Sequence, residues 1–212
     1  MWIEQPPKWY RQLFPGIIFR LPSGETPGVV YLTFDDGPIP EVTPWVLDVL
    51  DNYKVKATFF MVGQNIERYP HLLADVRMRG HIVGNHTLHH MKGFSVSKAD
   101  YIDDVESGRN LTGSRLFRPP HGLIKPSQYR EVKKHNKIIM YDVVTRDYNQ
   151  KITSEVVAGN VKRLVRDGSI IVFHDSLKSF PRLKKALPES IEWLQKEGYR
   201  FDVLKESEIE IG

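Results

Sequence analysis

Apolar and polar positions alternate along this chain in two rhythms. Short β-branched and aromatic runs read as strands over residues 29–34, 57–62, 82–83, 116–118, 137–144, 169–173 and 199–203. Between them, three-to-four-residue apolar spacing predicts helices over 42–52, 70–79, 97–110, 127–135, 154–166 and 188–197. Ser97 stands as an N-cap, and Gly198 ends the last helix. Roughly seven β/α units without a linker imply parallel strands joined by right-handed crossovers. No Gly-rich phosphate loop follows the first strand, which argues against a nucleotide fold. Periodicity leaves open whether the sheet is open or closed into a barrel.

The polar residues add direction to that pattern. Asp35-Asp36, His86, Arg118, Asp147 and His174 each fall at or just past the C-terminal end of a predicted strand. In a (β/α) barrel that rim is where active sites are built. Two adjacent carboxylates repel unless a cation or a proton offsets them. In Asn85-His86-Thr87-Leu88-His89-His90, His86 and His90 share one face of a helix or tight turn and can point at one ion. Thr87 stands where a zinc-protease motif needs Glu. Two His and one Asp suit Zn²⁺ and admit Fe²⁺, Co²⁺ or Ni²⁺. His89 is the rival for one ligand place. One Asp is then a ligand and the other a base, and spacing does not say which.

Composition narrows the choices. The 212 residues are 41% apolar and 26% charged, with net charge +4 and Lys and Arg spread along the chain, so nucleic acid is not an expected partner. There is no Cys, which excludes disulfides, thiolate metal sites and Cys nucleophiles. No apolar run approaches the ~18 residues of a membrane span. Residues 1–28 read as a leader whose Trp2, Trp9, Tyr10 and Phe14 pack onto a domain spanning 29–212, with a membrane-surface or partner contact as the alternative. Its apolar piece, 13–19, is interrupted by Pro15-Gly16 and flanked by Arg11 and Arg20, unlike a signal peptide. Cytoplasmic residence is the default expectation.

Five segments together resemble the polysaccharide deacetylase family, carbohydrate esterase family four. They are Thr33-Phe34-Asp35-Asp36-Gly37-Pro38, the His86–His90 segment, Arg118-Pro119-Pro120-His121-Gly122, the stretch ending Asp147-Tyr148, and Val172-Phe173-His174. The resemblance implies a single-domain α/β fold, a distorted (β/α)7 TIM-like barrel. It also implies metal-dependent removal of acetyl groups from N-acetylglucosamine-containing carbohydrate, with an acetylated glycan or oligosaccharide as substrate. Carried over, Asp36, His86 and His90 are similar to the metal ligands, with Zn²⁺ the expected ion. Asp35 resembles the base that activates the attacking water, and Arg118 the arginine that orients it. The His121 backbone N–H resembles an oxyanion donor, His174 the general acid, and Asp147 the acid that keeps His174 protonated. His121 for Tyr, Val144 for Asp, Tyr148 for Trp and, mildly, Val172 for Leu depart from the family pattern and bear on substrate contacts. An O-acetyl (xylan-type) esterase or non-sugar amidase with the same site, and a non-catalytic metal-containing glycan-binding domain, are the alternatives; the presence of both Asp35 and His174 argues against the last.

Overall fold

The computed structural model of the chain describes residues 4–24 and 28–209. Strand β1 (Val29–Asp35) lies at the middle of a parallel sheet with order β5-β4-β3-β2-β1-β7-β6, and β8 pairs with β1. The other strands are β2 (Thr58–Met61), β3 (Ile82–Asn85), β4 (Leu116–Phe117), β5 (Lys137–Ile138), β6 (Val143–Val144), β7 (Ile170–His174) and β8 (Arg200–Phe201). Helices cover the outside: α2 (Thr43–Asn52), α3 (Gly63–Arg68), α4 (Pro70–Met78), α5 (Lys98–Thr112), α6 (Pro126–Val132), α7 (Ser154–Leu164) and α8 (Phe180–Lys196). A short helix, α1 (Lys8–Gln12), precedes them. The fold is the distorted (β/α)7 barrel anticipated above.

The register of β1 explains both the core and the site. Phe34 lies level with Phe59 of β2 and Phe173 of β7, and the three rings stack at 5.0 and 6.0 Å. This layer belongs to the core under α2, α7 and α8. Strand side chains alternate faces, so Thr33 and Asp35 turn the other way, into the barrel. Phe34 has no exposed surface. Phe34→Ala is therefore expected to cost about 3–5 kcal/mol of stability, read as a lowered urea midpoint with an unchanged slope.

The run 137–144 is not one regular strand. Its first part joins β4, with the Ile139 N–H on the Phe117 carbonyl at 2.8 Å; its last part joins β7, with the Asp142 N–H on the Ile170 carbonyl at 3.0 Å. In between, the Met140 N–H turns to the Ile18 carbonyl, and Arg118 takes the Ile139 and Met140 carbonyls. The stretch bends because it must leave one sheet edge and reach the other. That bend closes the barrel.

The last helix also differs from expectation. It begins at Phe180 with Pro181 in its first turn, and Pro188 sits in its interior. Leu183, Ala186, Leu187, Ser190, Ile191 and Leu194 form one buried stripe across the proline. Packing of that stripe outweighs the one backbone hydrogen bond that Pro188 removes. Helix α3, which no pattern announced, follows β2 directly.

Part of the N-terminal segment lies against the closing bend. Arg11 pairs with the buried Asp142, which Arg166 also holds at 2.7 Å. Tyr10 packs on Phe14 and Phe19, Phe14 packs on Tyr129, and the Tyr129 hydroxyl donates to the Pro15 carbonyl. Glu4 accepts from the Val144 N–H through its carbonyl and pairs with Arg146 and Arg163. Trp9 does not pack on the barrel: it is 60% exposed, while Tyr10 of the short helix and Phe14 just after it make the inward ring contacts. Trp2 lies outside the described residues. No helix among them is long and apolar enough to cross a membrane.

Candidate active site

The C-terminal ends of β1, β3, β4 and β7 open into one cavity of about 470 Å³. Asp35 and His174 are directly paired in register across β1 and β7. Asp36 follows Asp35 with φ 81°, and that left-handed turn swings its carboxylate away from the strand. There it meets the two imidazoles after β3: His90 Nε2 lies 3.2 Å and His86 Nε2 3.8 Å from Asp36 Oδ1. Left-handed φ for residues other than glycine recurs around this rim, at Thr87, His90, His121 and Arg146. Each costs on the order of 1–3 kcal/mol, and such strain gathers at functional sites.

The Asp36–His86–His90 cluster fits a divalent ion. Its three ligand atoms lie within 4.8 Å of one another. His86 Nδ1 is 2.8 Å from the Arg118 carbonyl, which only accepts, so Nδ1 carries the proton and Nε2 keeps its lone pair toward Asp36. Burial pushes the His86 ring down to about 4, which keeps it neutral as a ligand must be. Burial alone would raise the Asp36 carboxyl, but the bond from His90 and the nearby His174 and His86 outweigh it and hold it well below the usual range.

Arg118 is fully buried and each of its three guanidinium nitrogens donates a hydrogen bond. Nη1 reaches Asp35 Oδ1 at 2.6 Å and Thr33 Oγ1 at 2.8 Å; Nε and Nη2 take the Ile139 and Met140 carbonyls. Its flat face lies 4.0 Å from the Phe60 ring centroid. Burial lowers its pKa and Asp35 opposes that. One side chain thus fixes a carboxylate of the site and ties the barrel's closing bend to β1.

His174 has its own carboxylate. Asp147 accepts from the His174 backbone N–H at 2.7 Å and from ring Nδ1 at 2.7 Å. Burial disfavours the charged ring, but the Asp147 pair, with Asp36 and Asp35 further off, outweighs it and pushes His174 up to about 9. Tyr148 packs edge-on against the ring at 4.9 Å.

The residues singled out from sequence therefore converge, and the exceptions are informative. His89 turns from the cluster: its Nδ1 lies 2.6 Å from Asp104 Oδ1 and its side chain is half exposed. His121 lies in the 3-10 turn after Pro119, and its ring packs 4.6 Å from that of His90. His121 and two other departures, Val144 and Tyr148, all line the cavity. Sequence reading gave no role to Tyr141, Lys178 and Leu123, which line it, or to Asp175 beside it. Asp175 did adjoin His174 in the last motif, a signal that was available. It is 1% exposed; burial, with Asp36 adding, pushes its carboxyl up to about 8 against its hydrogen bonds from Thr43 and Gly37.

A parallel barrel carrying such a cluster at its C-terminal rim, beside an Arg-held carboxylate and an Asp-held imidazole, has the equipment of a metal-using hydrolase. Residues 23–138 match the family described as polysaccharide deacetylase. A peptidoglycan-N-acetylglucosamine deacetylase of Bacillus cereus is 31% identical over 201 residues, covering 90% of this chain and 92% of that one. A chitooligosaccharide deacetylase of Bradyrhizobium is 32% identical over 174 residues, covering 77% and 79%. A solved peptidoglycan N-acetylglucosamine deacetylase, in complex with 4-naphthalen-1-yl-N-oxidanyl-benzamide, superposes with TM-score 0.84 at 29% identity, covering 94% and 95%. Longer relatives match too, and the chain spans about 40% of the length of some of them. The chain belongs to the polysaccharide deacetylase family and is an enzyme of the deacetylase class.

Proposed function

We propose that this enzyme hydrolyses the N-acetyl group of N-acetylglucosamine units in a chitin-like or peptidoglycan-like glycan or oligosaccharide, with one divalent ion, Zn²⁺ first, held by Asp36, His86 and His90. The observation that carries the reading is the division of labour around the cavity. Asp35 with Arg118 and His174 with Asp147 sit on adjacent strands, each fixed by its own counter-ion, flanking the cluster. The names of the relatives supply the substrate class.

When bound, the ion supplies Lewis-acid polarisation and lowers the pKa of water beside it toward neutrality. Asp35, aimed by Arg118, takes the proton from the attacking water as its oxygen bonds to the acetyl carbon. The His121 backbone N–H is the residue's candidate contribution to the oxyanion, with Pro119-Pro120 restricting the chain before it. As the C–N bond breaks, His174 passes its Nε2 proton to the leaving nitrogen, giving a free amine and acetate. Asp147 holds Nδ1 and the ring in place throughout.

The test measures acetate released from N-acetylated chito-oligomers and peptidoglycan fragments. Stripping with a chelator is expected to lower release at least ~100-fold, with recovery on adding Zn²⁺ or Co²⁺. Absence of release from metal-loaded protein on every N-acetylated glycan tried would overturn the reading. Faster release from acetylated xylo-oligosaccharide would move it to O-acetyl esters.

A further inference from the structure

One buried acid at the site has no part in the reaction derived above. Asp175 ends β7's motif directly after His174 and points its carboxyl group under the turn that carries Asp36. The Gly37 N–H donates to its Oδ1 at 3.1 Å, and the Thr43 hydroxyl donates to its Oδ2 at 2.6 Å. Its own backbone N–H donates to the Asp35 carbonyl at 3.1 Å. Asp36 therefore has Asp175 hydrogen-bonded to the residue before it and to the residue after it. Its own carbonyl is taken by Asn65 Nδ2 at 2.8 Å.

The left-handed φ of Asp36 needs such a hold. A non-glycine residue adopts that conformation only where its surroundings over-determine it. A Cβ on Gly37 would meet Asp175 Oδ2 at 2.0 Å, so the carboxyl group lies directly against the turn. Thr43, the first residue of α2, extends the hold: its oxygen accepts from the Ile39 N–H at 2.8 Å while its hydrogen goes to Asp175. The chain from Asp35 to Thr43 is thus fastened at three points to one carboxyl group and its own amide.

The geometry points to Asp175 as a positioning residue for metal binding, holding the Asp36 turn so that its carboxylate meets His86 and His90. This rests on the metal assignment made above. Partners that orient metal ligands without touching the ion are commonly worth 10–100-fold in affinity. The contribution belongs to the bound geometry of Asp36, so its loss should appear in metal affinity and not only in folding.

The experiment compares the wild-type protein with Asp175→Ala, Asp175→Asn and Thr43→Val, each shown folded by circular dichroism. Zn²⁺ affinity is measured by competition with a chromophoric chelator, and melting is followed in the metal-free protein. Asp175→Ala is expected to weaken Zn²⁺ at least ~10-fold. Asp175→Asn should stay within about threefold of wild type, since its amide oxygen keeps the Gly37 N–H and its Nδ2 faces the Thr43 oxygen. Thr43→Val should weaken Zn²⁺ by a smaller factor. A folded Asp175→Ala protein that melts lower but binds Zn²⁺ like wild type overturns the proposal. If Asp175→Ala does not fold, Thr43→Val decides, and unchanged affinity there overturns it equally. Asp36→Ala is the control: wild-type Zn²⁺ affinity in that variant sinks the metal assignment itself.

Discussion

Asp35→Asn is expected to lower acetate release by ~10²–10⁴-fold while leaving Zn²⁺ content near one per chain. Asn has nearly the shape of Asp and still accepts from Arg118 Nη1, but it does not take a proton from water. The same change leaves the Arg118 cation, fully buried and bonded to Asp35 at 2.6 Å, without its counter-charge. Removing one partner of a buried ion pair costs about 3–5 kcal/mol, less where a neutral acceptor remains. A lowered urea midpoint should therefore accompany the loss of rate. Steady-state acetate assays, elemental analysis and urea melts on one preparation check all three. Full metal content with wild-type release would remove Asp35 from the reaction.

The pairing of a structural role with the proposed catalytic one in Asp35 and Arg118 has a cause in the barrel itself. Barrel strands put every second side chain inside, and a packed interior is normally apolar. Here Thr33 and Asp35 are interior and both bonded to Arg118, so the polar groups satisfy one another beneath the cavity. Arg118 also holds the carbonyls of Ile139 and Met140, where the closing bend cannot form regular sheet bonds. Weakening this arginine would loosen Asp35 and the barrel closure together.

Much of this was visible in sequence because it follows local rules. A run of strand formers stopped by Gly37-Pro38 placed Asp35 and Asp36 on the rim, and the four-residue spacing of His86 and His90 pointed to a shared ion site, which the Asp36–His86–His90 cluster fits. Arg118, Asp147 and His174 were legible the same way, at strand ends. What escaped depends on contacts far apart in the chain. Asp175 acquires its purpose only through the β1–β7 register, 138 residues away from Gly37. The break in 137–144 follows from barrel closure, with no Gly or Pro inside the run to announce it. The first two turns of α8 were hidden because Pro188 reads as a helix start, and burial of Leu183 and Leu187 overrides that signal. The left-handed turns at Asp36, His90 and His121 carry no glycine to announce them.

Asp147→Asn is expected to move the high-pH limb of the activity profile down by at least ~2 pH units. The groups around the His174 ring explain the direction. Burial disfavours its charge, Asp147 at 2.7 Å favours it, and Asp36 and Asp35 add to that. With a cation on Asp36 that residue's share is offset, leaving Asp147 as the main support. In the wild type His174 is pushed up to about 9, so the proton for the leaving nitrogen is present through neutral pH and is lost as pH rises through about 9. Without the Asp147 charge, burial acts almost unopposed and the ring loses its proton below the ordinary value of about 6.5. The stability linkage has the same sign. A raised folded-state pKa contributes stability that is fully present below about 6.5 and disappears as pH rises through about 9, and Asp147→Asn should flatten that dependence. Rate–pH profiles on Zn²⁺-loaded protein, with melts across pH 6 to 10, read both effects. An Asp147→Asn enzyme with an unmoved high-pH limb would show that this limb does not report His174, and a wild-type rate in His174→Ala would assign the acid to another group.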